Sequence, residues 1–245
     1  MSELLSSNNL RGFAAEFIAT FIFVFVGIGA VGAAIGAGIT LVNPIDGAGL
    51  LILSLGHGVG FFLGIVLVAR ITGAHLNPAI TIAAIVSGNT GLIRGITFIV
   101  AQVAGAVVAS LLLDQFVWGI GGLGVHGLAV DSADGLVIEV ILTFVLVFAV
   151  FATAFDKRGN TNWAPLTIGL VVFVGHLVGA TLTGASMNPA RSFGPALVHG
   201  IWDDQWLYWV APIIGGIAAA VFYVLVFGSN EDRDKLGTIS MGTSD

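Results

Sequence analysis

GAHLNPAIT (Gly73–Thr81) returns 111 residues later as GASMNPARS (Gly184–Ser192). Each copy opens on glycine, centres on Asn-Pro-Ala and runs into apolar residues. Asparagine is a strong N-cap, because its side-chain oxygen accepts from an orphan amide of the first turn. Proline suits the first helical position because it has no amide to orphan. Asn77-Pro78-Ala79 and Asn188-Pro189-Ala190 are therefore two helix starts. With the cap oxygen occupied, each Asn amide keeps two N–H donors to turn elsewhere.

Composition says where these helices live. Apolar residues make up 57% of the chain and charged residues 9%, with mean hydropathy +1.03; soluble domains carry roughly a quarter charged residues. The chain reads as a membrane protein. The N-terminus lacks the short apolar core and small-residue cleavage site of a signal peptide, so the first span is expected to stay. With no cysteine, disulfides and thiolate chemistry are excluded. Net charge −6 with eight scattered Lys/Arg argues against nucleic acid as a partner.

Runs of about 20 apolar residues predict six spans, at about 12–37, 49–69, 92–113, 135–155, 164–182 and 205–227. Two shorter pieces, 77–87 and 188–199, can dip only halfway in, since ten helical residues rise ~15 Å against a ~30 Å hydrocarbon core. They are the pieces that the two Asn-Pro-Ala phrases open.

Six spans put the N-terminus, the 70–94 and 156–161 connections and the C-terminus on one side. That side holds Arg11, Arg70, Arg94, Lys157, Arg158, Arg233 and Lys235. The other holds Asp46, Asp114, Asp131, Asp134, Asp203 and Asp204 with one basic residue, Arg191. The positive-inside rule makes the first side cytoplasmic. Both termini are expected inside, in a multi-pass protein of the cell membrane.

The duplication goes further: Glu16–Phe21 (EFIATF) matches Glu139–Phe144 (EVILTF), and AQVAGA (101–106) parallels APIIGG (211–216). Two three-span halves must lie in opposite orientations, and such inverted repeats place a site near the midplane where they meet. The expectation is one all-α channel domain over 1–245. Repeat one spans about 11–113, repeat two about 134–227, and 228–245 is a short cytoplasmic tail.

Paired Asn-Pro-Ala phrases in inverted halves, the second continuing as NPARSFGPA, together with Glu16 and Glu139, resemble the aquaporin or major intrinsic protein family along nearly the whole chain. The resemblance implies an hourglass water channel with no cofactor, usually a homotetramer with a pore in each subunit. It implies that Glu16 and Glu139 brace the loops carrying the motifs, and that His57, His176, Ala185 and Arg191 form the narrowest constriction. Arg191 stands out unaided, since an ionised side chain in an apolar chain must face water or a partner. It and His176 are expected to donate to passing water, with carbonyls of Gly73, Ala74 and His75 on the opposite wall. Water-specific members usually carry Phe where His57 stands, whereas His resembles plant vacuolar-membrane members, some of which admit ammonia. Ser192, Ala196, Tyr208 and Trp209 resemble the water branch rather than the glycerol branch. His126, in the GGLGVHG loop, reads as solvated, with an extra filter residue as the alternative.

Two other classes fit less well. A secondary transporter shares inverted repeats and broken helices but carries an ionisable relay, and the only acids inside the predicted spans are the two assigned to bracing. An intramembrane enzyme needs a nucleophile, a base or metal ligands, and five dispersed His without zinc-site spacing supply none.

Overall fold

A computed structural model describes residues 6–41, 45–117, 121–159 and 162–238. The connections at 42–44, 118–120 and 160–161 and the tail after 238 lie outside the described residues. The regular structure among the described residues is all helical, its α-helices in the order α1 Ser7–Gly36, α2 Gly47–Thr72, α3 Pro78–Val86, α4 Leu92–Phe116, α5 Ser132–Val150, α6 Ala164–Gly179, α7 Pro189–His199, α8 Leu207–Phe227 and α9 Asn230–Lys235. Five stretches are long and apolar enough to cross a membrane: α1, α2, α4, α5 with its continuation to Phe155, and α8. The sixth, α6, has 16 residues; helix alone spans about 24 Å, and a turn through Thr183 finishes the crossing predicted over 164–182. α3 and α7, at 9 and 11 residues, reach about halfway.

Packing repeats with the sequence. α1 packs on α2 and α4 as α5 packs on α6 and α8, and α2 meets α6 across the boundary between halves. The half-helices are exchanged: α3 packs against α8 and α7 against α4. Each half thus grips the short helix of the other. The outcome is the aquaporin-like arrangement of six crossing helices and two half-membrane helices in inverted repeats.

Close approach at equivalent positions allows this. A Cβ on Gly105 of α4 would collide with the backbone carbonyl of Phe17 on α1, and one on Gly215 of α8 with that of Val140 on α5. The AQVAGA and APIIGG phrases match because each supplies a glycine where two helices approach to backbone contact. Small residues at such crossings let backbones touch, the main source of helix association in lipid.

Three details depart from the hydropathy pattern. α5 does not continue regularly to 155: Phe151–Phe155 is a π-helical turn, in which Thr153 Oγ1 donates to the Ala149 carbonyl at 2.7 Å. Such turns re-aim side chains, and here Phe155 sits 6.0 Å, ring to ring, from His75. Beyond it, Asp156 accepts from Arg158 Nε (2.9 Å) and Tyr223 Oη (2.7 Å); the Arg158 hydrogen bond holds its carboxyl well below the usual range. The tail, finally, is docked. α9 begins in a Ser229/Asp232 capping box, and the Gly237 amide donates to the Val86 carbonyl at the end of α3.

Gly105→Val and Gly215→Val are expected to abolish the monodisperse folded fraction in fluorescence-detected gel filtration. Gly36→Ala, where a Cβ meets nothing within 4 Å, should leave that fraction at the wild-type level.

Candidate functional site

Both half-helices start as the sequence requires. Asn77 Oδ1 accepts from the Ala79 amide at 2.8 Å, and Asn188 Oδ1 from those of Ala190 and Arg191 at 3.0 and 3.3 Å. The side-chain amides are less free than expected. Asn77 Nδ2 donates to the Met187 carbonyl at 2.7 Å, and Asn188 Nδ2 to the Leu76 carbonyl at 2.9 Å. One hydrogen of each amide ties the two loops together reciprocally, so one donor per Asn, rather than two, remains to be offered elsewhere.

The loops leading into the caps are irregular and strained in matching fashion. Ala74 and Leu76 in the first, and Ala185 and Met187 in the second, have φ of +60°, +56°, +56° and +51°, a region non-glycine residues seldom enter. A buried carboxylate over-determines each loop. Glu16 Oε1 accepts from Thr72 Oγ1 (2.6 Å) and the His75 amide (3.0 Å), and Oε2 from the Leu76 amide (2.8 Å) and Gln102 Nε2 (2.8 Å). Glu139 Oε1 accepts from Thr183 Oγ1 (2.6 Å) and the Ser186 amide (2.8 Å), and Oε2 from the Met187 amide (2.9 Å). Both glutamates are fully buried.

Next to the second loop, three of the four predicted filter residues, His57, His176 and Arg191, come together. The His57 and His176 rings stack at 4.2 Å between centroids. Each Nδ1 sits 2.8 Å from the carbonyl four residues back, Leu53 for His57 and Val172 for His176. A carbonyl can only accept, so Nδ1 carries the hydrogen and Nε2 is left with its lone pair. Arg191 Nε and NH2 donate to His57 Nε2 at 3.2 and 2.8 Å, while NH1 donates to the Gly124 carbonyl. His176 Nε2 has no partner among the described residues. His176 therefore presents an acceptor, not the donor expected from sequence, and two Arg191 nitrogens donate to His57. Ala185, the fourth, is fully buried within the second loop, and its amide donates to Thr183 Oγ1 at 3.1 Å. Gly27 on α1 makes room for the His57 ring, since a Cβ there would lie 2.6 Å from it.

His126 is not a solvated loop residue. It is 7% exposed, its Nδ1 lies 2.8 Å from Ser192 Oγ, and its ring lies 5.0 Å from that of Tyr208. The 121–126 segment folds inward to meet Arg191 and lines, with His57, His176 and Arg191, a cavity of about 650 Å³ on the face opposite the termini. On the termini face a smaller cavity of about 220 Å³ is bounded by Gly73, His75, Thr90 and Phe155. Among the described residues no group of His, Asp and Glu is arranged to hold a metal.

The major intrinsic protein family model matches residues 3–223. The chain belongs to this family. It is 41% identical over 236 residues to aquaporin TIP2-3 of Arabidopsis thaliana, covering 94% of this chain and 93% of that one. It is 44% identical over 236 residues to a probable TIP-type aquaporin of Medicago truncatula, with the same coverage. Its fold matches the X-ray structure of the aquaglyceroporin from Plasmodium falciparum with a TM-score of 0.78 over 89% of this chain and 96% of that chain, at 23% identity.

Sequence reading missed Gln102, Gly124 and the two threonines, Thr72 and Thr183. The threonines had a signal: both precede the repeated glycine by one residue. Gln102 stands where the second half has Pro212, so internal symmetry hid it.

Glu139→Ala leaves three donors in the second loop without an acceptor, each worth roughly 1–3 kcal/mol. A lowered thermal midpoint and folded yield are expected in detergent, with partial recovery in Glu139→Gln, whose amide oxygen can still accept. Wild-type stability in the alanine variant would mean that the loop does not depend on this carboxylate.

Proposed function

We propose that this membrane protein is a passive water channel that conducts in single file and excludes protons and ions. The observation that carries the proposal is the head-to-head meeting of two capped helix N-termini, tied by Asn77 to Met187 and by Asn188 to Leu76. Each N-terminus contributes about half a positive charge, so their junction disfavours cations while the remaining Asn donors serve a neutral oxygen. In this reading His57, His176, Ala185 and Arg191 form the selectivity filter, with His126 as a fifth member contributed by the loop. Carbonyls of Gly73, Ala74 and His75 accept from the file on the other half of its path. A hydronium meets the Arg191 charge and both helix ends, the kind of electrostatic barrier that excludes protons from narrow pores.

Ammonia is a second permeant in this proposal. His176 Nε2 offers a lone pair to an N–H donor, and two Arg191 nitrogens are engaged by His57. The assembly proposed from the family resemblance is a homotetramer with one file per protomer, the whole chain forming a single channel domain. The proposed location is the cell membrane, and cytoplasmic termini are supported by the segregation of seven Lys/Arg on the termini side from six Asp on the other.

In proteoliposomes followed by stopped-flow light scattering, osmotic water flux should rise above that of protein-free vesicles with a weak temperature dependence. A lipid-like temperature dependence would remove the channel reading. His57→Phe deprives Arg191 Nε and NH2 of their acceptor and places an apolar ring in the opening. The ratio of ammonia to water flux should then fall roughly 2- to 10-fold, the worth of one net hydrogen bond, and an unchanged ratio would count against ammonia as a permeant.

A further inference from the structure

Three of the eight basic residues share one stretch of the termini-side surface, two of them, Arg70 and Arg94, also bordering the smaller termini-face cavity. Arg11 lies in the second turn of α1, Arg70 in the last turn of α2 and Arg94 in the first turn of α4, and all three line one open groove of about 880 Å³. Among the described residues no carboxylate lines it, and neither Arg11 nor Arg70 takes part in an ion pair. Arg94 is fixed in place, its NH2 donating to the Ile71 carbonyl at 3.4 Å and its guanidinium lying 5.3 Å over the Phe98 ring.

Apart from Asn8 the rest of the groove is apolar, and its rim faces outward: Ile18 is 49% and Leu67 58% exposed. Ile18 lies two turns along α1 from Arg11, so an apolar wall of about 10 Å runs from the arginines toward the bilayer interior. Cationic groups at the interface with an apolar trough beneath match an amphiphile whose anionic head sits above its acyl chains.

We infer that this groove binds an anionic glycerophospholipid, the three guanidinium groups holding its phosphodiester and the Ile18–Leu67 wall its acyl chains. Arginine forks suit phosphate oxygens, and basic pockets between helix ends are where anionic lipid heads bind. Free phosphate would use the charges and ignore the wall. The inference is independent of what the pore conducts and rests only on the chain lying in a bilayer.

The test is native mass spectrometry of the detergent-solubilised protein with equimolar phosphatidylglycerol and phosphatidylcholine, folding being checked by circular dichroism and gel filtration. Wild type should retain phosphatidylglycerol preferentially. Arg11→Gln/Arg70→Gln should lose that preference by roughly five-fold per arginine removed, whereas Arg11→Lys/Arg70→Lys, which keeps the charge, should retain it. Equal retention of both lipids by wild type, an unchanged preference in the Gln variant, or a Lys variant that behaves like the Gln variant would overturn the site. Displacement of bound phosphatidylglycerol by equimolar inorganic phosphate would make the ligand a free anion and overturn the assignment to lipid.

Discussion

Backbone that is neither helix nor strand cannot lie inside an apolar bilayer unless something satisfies its amides. This chain carries two such stretches to mid-depth, and one buried carboxylate serves each. Glu16 and Glu139 accept from consecutive loop amides and from the threonine before each loop glycine. Without them, the left-handed residues Ala74, Leu76, Ala185 and Met187 would have no reason to stay in strained conformations. A charge buried for bracing is costly unless fully paired, and here the pairing comes from the loops themselves.

With the loops held, the half-helices can point their N-termini at one another, and the Asn side chains complete the junction by bonding across it. The two halves are alike in backbone and differ in charge. Where the second half-helix carries Arg191 three residues after its Asn, the first carries Ile80, buried at 2% exposure. The full positive charge is therefore displaced toward the face opposite the termini, where His57, His126 and the Gly124 carbonyl gather around it. Repeat symmetry builds the junction, and departures from symmetry build the filter.

The legible part of the fold was what local chemistry dictates. Asn-Pro announces a helix start wherever it occurs, and the doubled Glu announces a doubled need. Six apolar spans and two half-spans follow from counting residues against bilayer thickness. What sequence left out depends on side-chain aim or on contacts distant along the chain. The hydrogen on Nδ1 of both His57 and His176 is set by a side-chain rotamer that brings the i−4 carbonyl, one turn toward the amino end, within reach, so the donor expected at His176 became an acceptor. His126 looked solvated because nothing local shows that residues 121–126 turn inward to Arg191. The π-helical turn at Phe151–Phe155 and the docked α9 are invisible to hydropathy, which registers apolarity and not the aim of a side chain.

The central claim is that the junction passes water and refuses positive charge. Its most direct test is the simultaneous measurement of osmotic water flux and proton flux, the latter with a pH-sensitive dye trapped in the same wild-type proteoliposomes. The account predicts water flux that scales with protein content while proton flux stays at the protein-free level. Proton flux that rises in proportion to water flux would contradict it.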